Sequence, residues 1–399
     1  MSTLRVRAYN VRFGDAILVS IPERQPSGRD VTRHLLIDVG NVLSGAGGVD
    51  TVFQPVIEDI LRELGGKPVD LYVMTHEHMD HVQGLLFASD QLNLPIPVKN
   101  VWLTASAAPD YYDKHEKAKK RRLALEAAMD GIARFYGAAP QARTALVNAL
   151  LLNNDYRSTK KCVDFLRAMA PDRTTFVYRG CDVKGTDPFR EAKLHIWAPE
   201  EDTSTYYGAF RPMALGVADG GGGGASPTLT VPLPPSGVDA GAFYNLVEIR
   251  RQGHLDNLLT IDAANNNTSV VISLEWRGWK LLFPGDAEQR SWMEMDKQGV
   301  LEPVHFLKVG HHGSWNGTPP PELLDKVLPA KAPDDRPRKA LVSTCADTYN
   351  KVPDTPTLDA IRSRCDLVTV GEPAEPSFVD VEFEGRSKSV RRTTRRIRA

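Results

Sequence analysis

The residues with the clearest chemical meaning lie in one short segment of the chain, Thr75-His76-Glu77-His78-Met79-Asp80-His81. This segment follows the apolar stretch LYVM, which is typical of a buried strand. Imidazole nitrogens and carboxylate oxygens are the ligands that borderline divalent cations prefer. His76 and His78 project to the same side of an extended chain and can share one ion. Asp80 and His81 follow in a turn and can face a second ion, so the segment predicts a metal site.

Two distant segments carry side chains that fit the same site. KLLFPGD places Asp286 just past the end of an apolar strand, where a carboxylate can bridge two cations. HFLKVGHHGS places His311 and His312 at the end of the next strand. Together the three segments would build a bimetal centre, in which ions about 3.5–4 Å apart hold a bridging hydroxide. We predict Asp80 and Asp286 as the catalytic residues, because either can orient that hydroxide.

The order of these motifs resembles the metallo-β-lactamase superfamily, because HEHMDH matches its HxHxDH signature. The finer pattern is similar to the soluble metallo-β-lactamase domain of competence DNA-uptake channel proteins and to the related phosphorylcholine esterases. Further matching segments are NVRFGDAILV, HLLIDVG, NNTSVVISL, LLFPGDAE, LKVGHHGS and ALVSTCADTYN. The resemblance covers roughly residues 4 to 108 and 175 to 385. It implies an αββα sandwich and a two-metal hydrolase, and it is weakly specific for the substrate.

The resemblance also implies how the ligands share the two ions. His76 and His78 would hold the first ion, and Asp286 would bridge it to the second. Asp80 and His81 would hold the second ion together with one further histidine. The implied cofactors are therefore two divalent metal ions, with Zn²⁺ as the first choice and Mn²⁺ as the alternative.

Other features of the implied site are left open by the sequence. The further histidine of the second ion is either His311 or His312. Asp38, in the HLLIDVG motif, would steer the histidine ligands from outside the ligand shell. The uptake-channel family's late His-Pro is missing from NKVPDTP, which puts a further acid or phosphate contact in doubt.

This chain departs from the wider superfamily at the third histidine of the first ion. The residues that could replace it are His115, His195, His254 and the run Asn265-Asn266-Asn267. We expect His195 to pack within a strand and His115 to be solvated among lysines. The resemblance instead places Asn266 or Asn267 near the site. An amide oxygen is a weaker ligand than an imidazole, which is the reason for keeping Mn²⁺ beside Zn²⁺.

The elements around these motifs indicate an α/β (α+β) fold, an αββα metallo-β-lactamase sandwich with a helical insertion. Strands are predicted at LRVRAYNV, AILVSI, HLLIDVG, LYVMTH, TTFVYRG, KLHIWAP, SVVISLEW, KLLFPGD, HFLKVGHH and KALVSTC. VFQPVIEDILREL predicts a helix that ends at Gly65-Gly66. We assign residues 1-385 to one domain, which includes a helical insertion at 109-170 that could cover the site and a Gly/Pro-rich loop at 199-243.

Composition favours a globular protein of the cytoplasm. The chain is 42% hydrophobic and 25% charged, which supplies enough apolar material for a core. Its start does not resemble a signal peptide, and no window predicts a membrane span, so we expect no membrane partner. The four cysteines form no CxxC pair and are expected to be reduced thiols; they are Cys162, Cys181, Cys345 and Cys365.

Basic residues are concentrated in two segments. Residues 386-399 form a basic tail with seven basic residues and no acid: Arg386, Lys388, Arg391, Arg392, Arg395, Arg396 and Arg398. Such a tail can contact nucleic acid or an acidic protein partner. The alternatives are a solvated tail and a last strand with charged edges. The run from Lys114 to Arg122 has the same two interpretations, a polyanion contact or a solvated helix face.

These observations predict a metal-dependent hydrolase of phosphodiester bonds, with nucleic acid as the substrate. Lys308 and the Gly313-Ser314 turn could contact a phosphate. Two alternatives stay open: a hydrolase of a small phosphodiester, such as a nucleotide signal or a phosphorylcholine-type ester, and a metal-binding sensor or partner module without strong catalysis. A protein partner could bind through the helical insertion or the basic tail. The lack of membrane helices favours, by analogy, a free-standing nuclease of a bacterial defence system.

Overall fold

Strands, most of which are largely buried, build two β-sheets. The computed structural model describes residues 2–42, 49–138, 140–208, 240–344, 352–371, 377–385 and 389–397. The strands are β1 (Thr3–Tyr9), β2 (Ala16–Arg24), β3 (Asp30–Val39), β4 (Leu71–Val73), β5 (Val101–Thr104), β6 (Thr174–Val177), β7 (Ala192–Ala198), β8 (Val271–Trp276), β9 (Trp279–Phe283), β10 (Phe306–Lys308), β11 (Lys339–Val342), β12 (Asp366–Thr369), β13 (Ser377–Glu384) and β14 (Val390–Arg396).

Helices connect these strands. They are α1 (Val49–Leu64), α2 (Met79–Asp90), α3 (Tyr111–Lys114), α4 (Glu116–Ala138), α5 (Ala145–Asn153), α6 (Tyr156–Ala168), α7 (Ala240–Asn266), α8 (Gln289–Lys297), α9 (Pro321–Val327) and α10 (Thr355–Arg362). Among the described helices, no segment has the length and apolar character that a bilayer crossing requires.

The two sheets repeat one plan. Eight strands lie in the order β14-β13-β1-β2-β3-β4-β5-β6, and six lie in the order β12-β11-β10-β9-β8-β7. In each sheet a three-stranded antiparallel meander, β1-β2-β3 or β7-β8-β9, continues into three parallel strands. Within the described residues the fold is thus a mixed α/β structure with two mixed sheets, which confirms the α/β class predicted from the sequence.

Strand alternation decides which side chains fill which core. On β1 and β2, Leu4, Val6, Ile17 and Val19 join one buried cluster, which also contains side chains of β8 and β9 from the other sheet. The intervening Leu18 instead packs with α1, α2 and α6. A third cluster joins the outer face of the six-stranded sheet to α8, α9 and α10. The two sheets therefore pack face to face, with helices against their outer faces.

A smaller helical cluster lies beside the sheets. Apolar side chains of α4, α5 and α7 pack together, and they include Leu125, Met129, Val147, Leu258 and Ile261. Helices α3 to α6 fall inside the range 109-170 that was predicted to be helical. Helix α7 was not predicted, although Leu255, Leu258 and Ile261 recur at a spacing of three residues. We refer to α4, α5 and α7 as the helical unit.

The ends of two predicted segments differ from expectation. The first residues of α7, from Ala240, were assigned to the Gly/Pro-rich loop at 199-243; residues 209–239 of that loop lie outside the described residues. The basic tail is in part a strand, because β14 pairs antiparallel with β13 over seven residues. The acidic side chains of β13 explain this pairing, since Glu384 forms an ion pair with Arg391. Of the two alternatives to a contacting tail, the last strand with charged edges is the one observed.

Candidate metal centre

The loops that follow three parallel strands bring the predicted ligands together. His76 and His78 follow β4, and Asp80 and His81 form the first turn of α2 rather than a separate turn. Asp286 follows β9, and the His311-His312 pair follows β10. The shared feature of these ligands is burial: His76, His78, His81 and His312 are 0% exposed, and Asp80 and Asp286 are 1% exposed. Because parallel strands align their carboxyl ends, the sheets place all of these side chains at one edge.

Backbone conformation in the loops is specialised at this edge. Asp38, His311 and His312 have φ angles of 51°, 45° and 53°, in the left-handed region that residues with a side chain rarely adopt. A Cβ on Gly40 would lie 2.1 Å from the carbonyl carbon of Asp80, so only glycine permits this approach of β3 to α2. Strain and close packing therefore fix where the ligands point.

Each of the four buried histidines has one ring nitrogen held by a partner outside the centre. The four contacts are His76 Nδ1 with Thr75 Oγ1 at 3.0 Å, His78 Nε2 with Asn154 Oδ1 at 3.0 Å, His81 Nδ1 with Asp38 Oδ2 at 2.8 Å, and His312 Nδ1 with the Ser343 carbonyl at 3.1 Å. Histidines that bind metals are held in this way, because the outer hydrogen bond fixes the ring and its tautomer. Asp38 thus lies where its predicted steering role requires.

The first ligand group contains His76, His78 and Asp80, whose ligand atoms lie within 4.8 Å of one another. Thr75 Oγ1 donates to the Asp38 carboxylate at 2.6 Å, so it accepts from His76 Nδ1. His78 Nε2 likewise donates to an amide oxygen. The remaining nitrogens, His76 Nε2 and His78 Nδ1, therefore both carry lone pairs, and they lie 3.0 Å apart. Two nitrogens bound to one tetrahedral zinc ion lie about 3.3 Å apart, so this pair fits a cation.

The second ligand group contains Asp80, His81, Asp286 and His312. His81 Nε2 lies 3.3 Å from Asp286 Oδ2 and 3.7 Å from Asp80 Oδ1. His312 Nε2 lies 3.2 Å from Asp80 Oδ2 and 3.7 Å from Asp286 Oδ2. Asp80 Oδ1, His81 Nε2 and Asp286 Oδ2 are buried and have no hydrogen-bond partner. Such atoms are rare in folded proteins, and here they converge on a space that a divalent cation would fill.

The two groups share Asp80. Its carboxylate belongs to both, whereas Asp286 belongs to the second group alone. The bridging role that the resemblance implies for Asp286 stays a prediction. Of the two histidines after β10, His312 lies in the second group, and His311 lies in a further group with Asp262 and Glu288.

Electrostatics in the centre follow from packing opposite charges without water. Burial alone lowers the pKa of His81, but the carboxylates of Asp286, Asp80 and Asp38 outweigh it and raise this pKa well above the ordinary value. Burial raises the pKa of Asp80 and Asp286, but the charge of His81 outweighs it and holds both below the ordinary value. Burial and the neighbouring histidines keep the pKa of His76 well below the ordinary value, so His76 is neutral. A proton and a metal ion therefore compete for His81, but not for His76.

His311 belongs to a third group of buried polar side chains. Its ring lies 3.5 Å from Glu288 Oε1 and 3.9 Å from Asp262 Oδ2. The Asn266 amide donates to Glu288 at 2.8 Å and lies 3.4 Å from His311 Nε2, and Asn266 Oδ1 is buried without a hydrogen-bond partner, so the predicted Asn266 lies next to the centre. The His311 side chain is 19% exposed, which makes it the point where the described centre reaches the surface.

Four residues of the centre escaped the sequence predictions: Asn153, Asn154, Asp262 and Glu288. Asn153 Oδ1 accepts from the Asp80 backbone N–H at 3.1 Å. Asn154 and Asp262 are linked by a hydrogen bond of 2.7 Å. The sequence offers one weak signal for them, because the Asn153-Asn154 pair ends a predicted apolar helix, where polar side chains can turn towards another element.

The other residues that the sequence offered for the site lie away from the ligand groups or have other partners. His195 is exposed on β7 rather than packed, while His115 stacks on Tyr111 and His254 stacks on Phe135 with ring centroids 4.4 Å and 4.1 Å apart. None of these three lies in a ligand group of the described residues. The predicted phosphate contact of Lys308 is wrong, because its ammonium group is buried and donates to Asp15 at 2.7 Å.

Four of the six basic residues from Lys114 to Arg122 are paired with nearby acids. Lys114, Lys119, Lys120 and Arg122 form ion pairs with Asp110, Asp113, Glu116 and Glu126. Lys119 and Arg122 also line a cavity of about 480 Å³ that reaches Glu77, between the first two histidines of the metal segment. Because its basic side chains are paired, this cavity is not a strong site for an anion. The described thiols Cys162, Cys181 and Cys365 are free, and Cys345 lies outside the described residues.

Comparisons with known proteins add no family to this geometry. A scan against protein-family models and a search of curated proteins give no match for this chain. What the centre can do therefore has to be inferred from its own residues.

Proposed function

We propose that this protein is a two-metal hydrolase of the metallo-β-lactamase superfamily and that it cleaves phosphodiester bonds. The observation that carries the proposal is the orientation of the four buried histidines. Each presents one ring nitrogen to a carboxylate or to another histidine, and its other nitrogen is held from outside. Because the inward nitrogens of His76 and His78 face each other, and Asp80 Oδ1, His81 Nε2 and Asp286 Oδ2 have no hydrogen-bond partner, the residues present fit two divalent cations.

The layers of the fold support the same proposal. Two sheets that pack face to face, with helices on both outer faces, match the αββα sandwich that the sequence resemblance implies. The HxHxDH segment, the aspartate after β9 and the histidine after β10 meet at one edge of these sheets. This placement supports the proposal, because it brings the motifs of the resemblance together.

The residues of the chain would divide the work. Two bound cations would activate water and neutralise the charge that develops on the phosphate. Asp38, Thr75 and Ser343 hold the histidine rings, so the ligands need not reorganise during the reaction. Burial of Asp80 and Asp286 excludes bulk water from the reacting atoms, and His311 faces the side from which a substrate can enter.

Nucleic acid is the substrate that we propose. Besides the resemblance, the exposed arginines of β14 support it, because they offer a polyanion a row of cations. A small phosphodiester is the second candidate, and burial of the metal ligands favours it, since a short ester reaches a recessed centre more easily than a duplex does.

The proposal is tested by metal analysis combined with an activity panel. The protein, loaded with Zn²⁺ or Mn²⁺, is incubated with single-stranded and double-stranded DNA, with RNA and with chromogenic phosphodiesters. Asp286→Ala should lose bound metal and hydrolysis together, because it removes a carboxylate of the second group. His195→Ala, a change of an exposed histidine outside the centre, is the matched control and should lose neither. Equal metal content in both variants, or no hydrolysis of any diester by the loaded protein, would contradict the proposal.

A further inference from the structure

The helical unit reaches into the metal centre through one side chain, Asn154. This residue caps the end of α5 and is 3% exposed. Its Oδ1 lies 3.0 Å from Nε2 of His78 and 3.1 Å from the amide nitrogen of Asn265. Its amide nitrogen donates to Asp262 Oδ1 at 2.7 Å and to the Leu150 carbonyl at 3.0 Å. Every polar atom of the Asn154 side chain is therefore occupied.

The partners of Asn154 fix the direction of its amide. A carboxylate oxygen and a carbonyl oxygen can only accept hydrogen bonds, so the atom that faces Asp262 and Leu150 must be the nitrogen. The oxygen must then face His78. Because this oxygen can only accept, Nε2 of His78 carries the proton and Nδ1 keeps its lone pair. That lone pair is the one directed at His76 Nε2.

We propose that Asn154 is a positioning residue for the first metal ion, which it serves by holding the ring and the tautomer of His78, and that Asp262 in turn holds Asn154. The inference rests on the proposed metal centre. It adds to the site Asn154, at the end of α5, and Asp262, on α7, neither of which belongs to a motif found in the sequence. Outer partners of metal-binding histidines change metal affinity by about ten- to hundredfold when they are removed.

The same contacts couple the helical unit to metal binding. Asn154 and Asp262 lie on helices whose apolar side chains form a cluster separate from the cores of the sheets. A packing change between α5 and α7 would move Asn154 and release His78. The packing of α5 on α7 therefore favours ion binding at His78 by a certain coupling free energy. By linkage, a bound ion must stabilise that packing by the same free energy.

The test is a metal titration of the full chain with Zn²⁺ in competition with a chelator. Asn154→Leu keeps the approximate size of the side chain but cannot accept a hydrogen bond. It should weaken the binding of one ion by about ten- to hundredfold and leave the binding of the other unchanged, since the second group has no contact with Asn154. Asn148→Leu changes an exposed asparagine of the same helix and is the matched control.

A double-mutant cycle separates positioning from a general effect on folding. His78→Ala removes the ring on which Asn154 acts, so adding Asn154→Leu to His78→Ala should cause no further loss of metal. An additive loss, or a single Asn154→Leu variant that binds both ions as tightly as the wild type, would overturn the inference. Neither readout needs turnover, so a wild-type protein that binds two ions but hydrolyses nothing would contradict the proposed function alone. A wild-type protein that binds no Zn²⁺ would overturn both.

Discussion

The two ring nitrogens of each buried histidine of the centre have different surroundings. One nitrogen donates to Thr75, Asp38, Ser343 or Asn154, and the other is left for an ion. Two of these rings differ strongly in their pKa, because one is surrounded by carboxylates and the other is buried beside histidines. His81 is the extreme case, since it faces three carboxylates and its pKa lies well above the ordinary value. His76 is the opposite case, with a pKa well below the ordinary value.

This contrast predicts that the two ions bind with different pH dependence. An ion that enters the second group must displace the proton of His81, so its affinity should rise about tenfold per pH unit below the pKa of His81. The sign follows from the raised pKa, because the protonated form competes until the pH exceeds it. The first ion meets His76 already neutral and should depend less on pH. Chelator competition at a series of pH values measures both affinities.

Asp38→Asn provides an internal comparison. It removes one of the carboxylates that raise the pKa of His81 but leaves an acceptor at the same place. The pH range over which the affinity for the second ion rises should therefore lie lower in the variant than in the wild type. Two ions with identical pH dependence in the wild type would show that His81 is not the competing group.

At the scale of elements, a buried ion network ties three of them together. Arg7 on β1 donates two hydrogen bonds to Asp380 on β13, at 2.8 and 2.9 Å, and further bonds to Asp59 and Glu63 on α1, at 2.7 and 2.8 Å. Its guanidinium group also lies 3.6 Å from the ring centroid of Phe378. Arg7 is 4% exposed, and it shares the compensation of Asp59 with Arg62 and that of Glu63 with Arg5, whereas its ion pair with Asp380 is made by Arg7.

Arg7→Ala should lower the free energy of unfolding by about 3–5 kcal/mol, because it leaves the buried Asp380 carboxylate without the arginine that pairs with it. Burial raises the pKa of Glu63, but Arg5 and Arg7 outweigh it and lower this pKa. A lowered carboxyl pKa contributes stability above its unfolded value and loses it as the pH falls through the folded value. The difference in the free energy of unfolding between wild type and variant should therefore become smaller at acidic pH. Urea unfolding at several pH values measures it, with the exposed Arg29→Ala as the control. A loss below about 1 kcal/mol at neutral pH would contradict this account.

Sequence patterns predicted most of the strands. They missed polar residues whose role depends on a contact with a distant part of the chain. Apolar patterns located β1 to β4 and β6 to β11 but not β5, β12 or β13, and HxHxDH located His76, His78, Asp80 and His81. Asn154 and Asp262 could not be found in this way, because a polar residue near the end or on one face of a helix has no periodic signature. Their role depends on α5 meeting α7 beside His78. The β14 strand was predicted only as one alternative for the basic tail, since its acidic partner Glu384 is recognised only through the pairing of β13 with β14.

At the scale of the whole molecule, basic charge and the metal centre occupy different places in the eight-stranded sheet. Strand β14 is the edge strand, and three other strands lie between β13 and the β4 strand that leads to the ligands. Arg392, Arg395 and Arg396 are exposed on this edge. A substrate that contacts both regions must therefore be long.

Replacing these three arginines by glutamine should separate the two candidate substrates. If the substrate is nucleic acid, its binding should weaken. The magnitude of the slope of log affinity against log salt should fall by up to about three units, because each phosphate contact that is lost means that about one counterion fewer is released on binding. Turnover of a small chromogenic diester should stay unchanged. The replacement keeps the backbone of β14, so an unchanged melting temperature is the required control, and Arg29→Gln is the matched surface change. An unchanged salt slope in a protein that cleaves DNA or RNA would exclude this edge as the contact.

The pairing of β1 with β13 also sets an order of events during synthesis. Thr3 pairs with Glu384 and Tyr9 with Phe378, so β1 is synthesised long before β13, with which it pairs. Until β13 is made, β1 has one open edge, although the segments for β2 to β6 and for the HxHxDH ligands are already available. Such long-range pairing slows folding, and an open strand edge invites contact with other chains. We therefore expect nascent or truncated chains that lack β13 to aggregate and to depend on chaperones, even when every metal ligand is present.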